Sequence, residues 1–105
     1  SLLDAQAITE YQDAQAAEEQ QELRHAVQHR FEAYLIEKNV DPQAVDWLRL
    51  YLQGQSQEAI AKALNLNVKQ VYRLREKVSY HATRVFASKT HPGLVSSWLG
   101  NEANR

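Results

Sequence analysis

The sequence predicts an all-α fold, a helix-turn-helix helical bundle that follows a long acidic N-terminal helical segment. Three observations lead to this prediction. Only 3 Gly and 2 Pro occur among the 105 residues, too few for a turn-rich β fold. Apolar residues recur at spacings of three and four, the period of a helix with one buried face. Helix-capping residues also precede three of these stretches, and the length suits one modest core.

The first predicted segment, residues 1–40, is helical. From Asp4 to about Lys38 it contains no Gly or Pro, so we expect one long helix or two. The second half carries an apolar face made of Leu23, Val27, Phe31, Tyr34 and Leu35. The first half offers only Ile8, Tyr11 and scattered alanines, and we expect it to fray unless a partner orders it. The segment can act as a spacer, a dimer-forming helix or a cover over basic residues, and we favour burial of its apolar face on the core or on a second copy.

The second predicted segment, residues 41–90, is the helix-turn-helix domain. Asp41 is the expected N-cap of its first helix, with Pro42 at the first helical position. Gly54 stands where a left-handed C-terminal cap is expected. The apolar positions of this helix are Val45, Trp47, Leu48, Tyr51 and Leu52.

Two further helices are expected in the same segment. Ser56 caps a short helix, with Ala59 at its third helical position, and Asn67 caps a longer helix that runs to about Ser88. The apolar positions are Ile60, Ala61 and Leu64 in the short helix, and Val71, Leu74, Val78, Ala82 and Val85 in the long one. The short helix and the long helix therefore each have a face to bury.

Residues 91–105 are predicted to form a short C-terminal helix and a tail. Residues 91–93 read His-Pro-Gly and end the preceding helix, and four apolar residues between 94 and 99 favour one more amphipathic turn or two. Trp47 and Trp98 both fall in apolar stripes, so we expect them to anchor the core rather than to stack on a ligand.

Charge is distributed unevenly along the chain, although the formal net charge is only −1. Residues 1–40 carry eight acids and three bases, whereas residues 67–92 carry one acid and six bases. On a helical wheel, Lys69, Arg73, Lys77 and Arg84 fall on the face opposite Val71. A basic face is by itself most often only a solvated face, so the spacing of the surrounding residues decides how to interpret it.

Residues 56–78, SQEAIAKALNLNVKQVYRLREKV, have the spacing of a helix-turn-helix unit. Counting from Gln57, the small residue Ala61 stands at the fifth position, where the two helices cross closely. Asn65 stands at the ninth, where the turn requires a left-handed residue, a conformation that Asn tolerates better than most. The remaining anchor positions are apolar, namely Ile60, Leu64, Leu66, Val71 and Leu74.

On these residues the chain resembles the helix-turn-helix domains of bacterial transcription regulators. The resemblance extends from about Trp47 to Arg84 and rests on WLRLYLQGQSQEAIAKALNLNVKQVYRLREKV. It is closest to region four of the primary sigma factors and to the effector domains of LuxR/NarL-type response regulators, and the long last helix favours the sigma-like branch. The resemblance implies that double-stranded DNA is the partner and that the helix from Val68 enters its major groove.

The resemblance also assigns roles to individual side chains. The candidates for contact with base edges are Asn67, Lys69, Gln70, Tyr72 and Arg73. The candidates for contact with phosphates are Ser56, Gln57, Lys77, Tyr80 and Arg84. The Arg73 guanidinium has the geometry to donate two hydrogen bonds to guanine, and the Gln70 side-chain amide has the geometry to hydrogen-bond adenine. Arg75 lies about 40° from the centre of the buried face, so we expect an ion pair with an acid of a neighbouring helix instead.

An alternative class of function stays open at this point. Helix-turn-helix units are also used for protein contact, so the same helix would bind RNA polymerase or a partner regulator. We further expect a homodimer, because one small unit neutralises few phosphates and binds DNA weakly at physiological salt.

No enzymatic activity, cofactor or metal site is predicted. The sequence has no Gly-rich phosphate loop or recognisable Ser, His and acid arrangement, and zero Cys excludes thiolate zinc sites. His25 and His29 stand four apart after Glu22, a pattern that is more often a solvated pair than a metal edge. No apolar run approaches the roughly 18 residues of a membrane span, so we expect a soluble cytoplasmic protein. The absence of Met, even at position 1, leads us to expect that the chain is part of a longer protein.

Overall fold

The chain is all-α, as the sequence predicts. The computed structural model describes residues 1–86, which form the helices α1 (Leu2–Glu37), α2 (Pro42–Leu52), α3 (Gln57–Leu64) and α4 (Val68–Phe86). These 86 residues contain no strand. The short C-terminal helix predicted within 91–105, and Trp98 with it, lie outside the described residues.

The helices α2 and α3 begin at the predicted capping residues. The Asp41 carboxylate accepts a hydrogen bond from the Gln43 N–H at 3.0 Å, and Pro42 occupies the first helical position. The Ser56 hydroxyl oxygen accepts from the Ala59 N–H at 3.1 Å. Each cap satisfies one of the N–H groups that the first turn of a helix leaves without an intrahelical acceptor.

Three helices end through the same backbone motif, built on a residue with a positive φ. Asn39 follows α1 with φ 55°, Gly54 follows α2 with φ 88°, and Asn65 follows α3 with φ 55°. In the last case the Leu66 N–H donates to the Ala61 carbonyl at 2.9 Å, the long hydrogen bond of a Schellman motif. The predicted left-handed positions at Gly54 and Asn65 are therefore confirmed.

The core of the helix-turn-helix region is made by α2, α3 and α4, which pack against one another in all three pairs. Its buried side chains are Ala44, Val45, Trp47 and Leu48 of α2, Ile60 and Ala61 of α3, and Val71, Leu74, Val78, Ala82 and Phe86 of α4. Of the predicted inward positions, Val45, Trp47 and Leu48 of α2 and Val71, Leu74, Val78 and Ala82 of α4 are thus buried. The other predicted positions, Tyr51 and Leu52 of α2, Leu64 of α3 and Val85 of α4, are only half-buried.

Trp47 is a core anchor, as its apolar surroundings in the sequence predict. Its side chain is fully buried, and its ring stacks on Tyr51 with centroids 4.9 Å apart. The indole N–H donates a hydrogen bond to Gln57 Oε1 at 3.0 Å, so the one polar group of this side chain is satisfied. This hydrogen bond joins α2 to the start of α3.

The chain divides into two compact units, Ser1–Ala33 and the residues from Tyr34 onward. The first unit is a single helix that begins at Leu2, so the fraying expected for its first half is not seen. Along the predicted apolar face, Phe31 is buried, Val27 is half-buried and Leu23 is 57% exposed. Residues 1–26 are all exposed.

Candidate nucleic-acid interface

The turn between α3 and α4 is three residues long and is held from both sides. α3 ends at Leu64, and Asn65 adopts the left-handed conformation with φ 55° and ψ 48°. On the other side, the Asn67 Oδ1 accepts from the Gln70 N–H at 2.8 Å, while Gln70 Oε1 accepts from the Asn67 N–H at 3.0 Å. This reciprocal pair is a capping box, so the direction in which α4 leaves the turn is fixed by hydrogen bonds.

The outward face of α4 carries most of the residues predicted to contact DNA. Val71, Leu74, Val78 and Ala82 are buried on the inward face. Nine of the ten predicted contact residues are exposed, namely Ser56, Asn67, Lys69, Gln70, Tyr72, Arg73, Lys77, Tyr80 and Arg84. The helical wheel therefore separates the two faces of α4 correctly.

Gln57, the tenth predicted residue, is half-buried. Its Oε1 accepts the hydrogen bond from the Trp47 indole, so the side chain is engaged within the core. The Nε2 amide of this side chain retains its N–H donors, so a phosphate contact at this position is open to that amide as well as to the backbone N–H, which lies in the first turn of α3. Ser56 Oγ accepts from Ala59, but the hydroxyl hydrogen still has an exposed direction in which to donate.

Asn67 and Gln70 combine a structural role with the predicted readout. Both side chains are exposed, yet the side-chain oxygen of each accepts a hydrogen bond in the capping box. A carbonyl oxygen has two acceptor positions and each amide group retains its N–H donors. Both residues can therefore keep the cap while they present donors at the N-terminal end of α4.

Two arginines of α4 lie against tyrosine rings. The Arg84 guanidinium carbon is 5.5 Å from the Tyr80 ring centroid, and Arg84 Nη1 donates to the Tyr80 hydroxyl at 3.1 Å. The Arg75 guanidinium carbon is 5.7 Å from the Tyr72 ring centroid, and Arg75 is half-buried. These pairs were not predicted from the sequence, although their spacings of three and four residues on one helix are a usable signal.

A shallow groove runs along one flank of α4. We call it the α4 groove, and its lining residues are Tyr72, Arg75, Glu76, Ser79, Tyr80, Thr83 and Arg84. Three of these, Tyr72, Tyr80 and Arg84, were predicted to contact DNA. Ser79 and Thr83 were not, because hydroxyl residues on the margin of a basic face give no distinct signal in the sequence.

Lys77 makes a long ion pair across the domain. Its ammonium nitrogen lies 4.0 Å from Asp41 Oδ2, and the two side chains are 53% and 37% exposed. A pair so open to water contributes little to stability. Lys77 therefore remains able to exchange this carboxylate for a phosphate.

The histidines within residues 1–86 form no metal site. His25 and His29 are exposed on α1, and within residues 1–86 no three His, Asp or Glu side chains gather closely enough to hold a metal ion. His81 is half-buried, and its ring packs edge-on to the rings of Tyr34 and Tyr80, with centroids 5.7 Å and 5.2 Å away. Along the part of the chain that the structure describes, every helix is too short or too polar to cross a membrane.

Comparison with known proteins supplies a family. Neither the curated proteins nor the solved structures contain a match to the chain. The resemblance to sigma-factor region four and to LuxR/NarL effector domains therefore stays a prediction made from the residues. A family model described as "Heterocyst differentiation protein HetZ-like" matches residues 4–105, which is nearly the whole chain. The chain belongs to the HetZ-like family of heterocyst differentiation proteins.

Proposed function

We propose that this chain is the DNA-binding domain of a bacterial transcription regulator that acts in the cytoplasm and places α4 in the major groove of double-stranded DNA. The observation that carries the proposal is the arrangement of α3, the three-residue turn and α4. The turn holds α4 with its apolar face in the core and with Lys69, Arg73, Lys77 and Arg84 outward. Such a helix presents donors to the base edges that the major groove displays.

The family description is compatible with this proposal. It names a process of cell differentiation, and differentiation depends on selective expression of genes. A domain that recognises short DNA sequences fits that requirement. The more specific likeness to region four of the primary sigma factors, and to LuxR/NarL effector domains, is part of the same proposal. It rests on the spacing of the capping, small and apolar residues in the stretch from Trp47 to Arg84.

Sequence recognition is assigned to the first two turns of α4. Lys69 and Arg73 are one turn apart and exposed, with Gln70 and Tyr72 beside them and Asn67 at the cap. Arg73 would donate two hydrogen bonds to guanine, and each good contact of this kind contributes about 1 to 3 kcal/mol of discrimination. The first turns therefore provide specificity.

Affinity is assigned to the residues around these turns. Ser56 and the Gln57 backbone N–H lie at the start of α3, and Lys77, Tyr80 and Arg84 lie farther along α4. Contacts from such positions to phosphates fix the register of a protein on DNA without reading sequence. They also make binding weaken as salt rises, because each neutralised phosphate releases counterions.

Selection from random duplex DNA tests the proposal. We expect a short motif to be enriched, and we expect the affinity for that motif to fall steeply between about 50 and 200 mM salt. If no sequence is enriched and binding does not respond to salt, the proposal is wrong.

A second candidate is a protein-interaction module that contacts RNA polymerase or a partner regulator through α4. The observation in its favour is the exposed apolar surface on this helix, where Val68, Tyr72 and Tyr80 are 43%, 44% and 58% exposed. Tyrosine is frequent in protein interfaces. Loss of DNA binding in a folded Lys69→Ala, Arg73→Ala variant supports the first candidate, whereas full activity of that variant in promoter regulation supports the second.

A further inference from the structure

Tyr80 and Arg84 form a joined pair one helical turn apart on the exposed side of α4. Arg84 Nη1 donates to the Tyr80 hydroxyl at 3.1 Å, and the guanidinium carbon lies 5.5 Å from the ring centroid. Tyr80 is nevertheless 58% exposed. An arginine held both by a hydrogen bond and by a ring has less freedom to lose when it binds a ligand.

The chemistry of this pair favours an anion. The Tyr80 hydroxyl accepts from Arg84, so its own hydrogen is left to donate outward. A guanidinium has five N–H donors and no acceptor, and one of the five is used in this hydrogen bond. The pair thus presents several donors to the solvent, which suits the oxygens of a phosphate diester.

The surroundings add further donors. Ser79 and Thr83 line the α4 groove beside Tyr80 and Arg84, and both carry hydroxyl groups. The groove also contains one carboxylate, Glu76, against two guanidiniums, those of Arg75 and Arg84. Its formal charge is therefore positive, and its lining combines hydroxyl groups with guanidinium groups.

The position of the pair along α4 separates it from the base-reading turns. Arg73 and Arg84 are eleven residues apart in the sequence, about 17 Å along a helix that rises 1.5 Å per residue. The major groove is about 12 Å wide. When Arg73 is at a base edge, a side chain this far along a straight helix meets the wall of the groove, where the phosphates are.

We propose that Tyr80, Arg84, Ser79 and Thr83 form a phosphate clamp on one DNA strand at the wall of the major groove, and that Tyr80 acts as a positioning residue for Arg84. This inference rests on the proposed function, because it requires α4 to lie in the major groove. The ligand is a phosphate diester of double-stranded DNA, contacted without regard to base sequence.

The test measures fluorescence anisotropy of the full chain with two labelled duplexes of equal length, the one enriched by selection and a scrambled one, over a range of salt. Arg84→Ala is expected to weaken binding to both duplexes by a similar factor and to lower the slope of log affinity against log salt by about 1. Tyr80→Phe keeps the ring and removes one hydroxyl. It is expected to weaken binding about 2-fold to 12-fold, the range of one hydrogen bond, with the slope unchanged.

The double variant distinguishes positioning from independent contact. In the Arg84→Ala background, Tyr80→Phe is expected to have a smaller effect than in the wild type, because the group that it positions is gone and only its own hydrogen bond to the phosphate remains to be lost. If the fold-changes in affinity caused by Tyr80→Phe and Arg84→Ala multiply in the double variant, the positioning role of Tyr80 is wrong. Ser79→Ala with Thr83→Ala is expected to weaken binding without a change in sequence preference, and wild-type affinity in that variant removes the two hydroxyls from the clamp.

Controls keep the inference distinct from the proposed function. Tyr11→Phe makes the same chemical change at an exposed tyrosine of α1 and is expected to bind as the wild type does. Circular dichroism checks that every variant is folded. If Tyr80→Phe and Arg84→Ala bind like the wild type while Arg73→Ala loses binding, the clamp is wrong and the proposed function stands. If the wild-type chain binds neither duplex, both are wrong.

Discussion

At the scale of single residues, the outward and inward positions of α4 are the most predictable feature of the chain. Lys69 and Arg73 are exposed while Val71 and Leu74 are buried, and a period of 3.6 residues is enough to separate them. The hydrogen bond between Gln57 and the Trp47 indole was not predictable in the same way. It depends on the distance between two helices, and no local pattern in the sequence encodes that distance.

Arg73 and Lys77 should affect DNA binding in different ways. Arg73→Ala is expected to cost about 1 to 3 kcal/mol of binding free energy and to relax specificity at one base position, because a base contact is lost. Lys77→Ala is expected to weaken binding to all sequences equally and to lower the salt slope by about 1. Selection repeated with each folded variant checks this, and an unchanged motif for Arg73→Ala contradicts the assigned role.

Trp47 should be among the most sensitive positions for stability. Trp47→Ala removes a fully buried ring, its stacking on Tyr51 and its hydrogen bond to Gln57. We expect the free energy of unfolding to fall by about 3 to 5 kcal/mol in denaturant titrations. Tyr11→Ala, at a 68% exposed position, is the control and is expected to change it by about 0.5 kcal/mol or less. Equal effects of the two variants would contradict the core assignment.

At the scale of helices, starts and ends follow from single capping residues, and this is why their boundaries were close to the predicted ones. Asp41, Ser56 and Asn67 all accept the expected backbone hydrogen bonds. Helix lengths are harder to predict where no Gly or Pro interrupts a helical sequence pattern. In the first segment the sequence allows one helix or two, since no Gly or Pro marks a break, and the structure has one helix from Leu2 to Glu37.

The turn between α3 and α4 should respond to the side chain at position 65. Asn65 has φ 55°, where most L-residues are strained by about 1 to 2 kcal/mol. Asn65→Gly is therefore expected to keep or raise the melting temperature, and Asn65→Val to lower it. Thermal unfolding of the two variants, measured under the same conditions, checks this. A Val variant as stable as the Gly variant would show that the turn does not require a left-handed residue at position 65.

The charge of α4 should be adjustable through its one acid. Glu76 is exposed and lines the α4 groove among the arginines. Glu76→Gln is expected to raise DNA affinity a few-fold, and more at low salt than at high salt, because repulsion between the carboxylate and phosphates is removed. Glu19→Gln on α1 makes the same change in net charge and is the matched control. Equal gains in the two variants would assign the effect to total charge instead of to α4.

At the scale of the whole molecule, the first unit presents surface that a single copy leaves uncovered. Within Ser1–Ala33, the side chains of Leu2, Leu3, Ile8, Tyr11 and Leu23 are between 57% and 90% exposed. The first 23 residues also carry six acids and no Lys or Arg. Asp4 pairs with the N-terminal ammonium at 3.7 Å, but this pair is exposed and adds little stability, and the stretch offers no Lys or Arg for a further pair at helical spacing. The sequence predicted the apolar face but not what covers it, because a partner leaves no separate signal in one chain.

We propose that a second copy covers the apolar face around Leu23. Light scattering of the full chain is expected to give about twice the chain mass of 12.1 kDa at high concentration. Leu23→Glu is expected to give the monomer mass, because it places a charge in the interface. Tyr11→Glu, about 120° around the helix from Leu23, adds the same charge and is expected to leave the dimer intact. A monomer at every concentration contradicts the proposal.

A dimer would double the number of phosphates that one molecule neutralises, so Leu23→Glu should also weaken DNA binding and reduce its salt slope by about half.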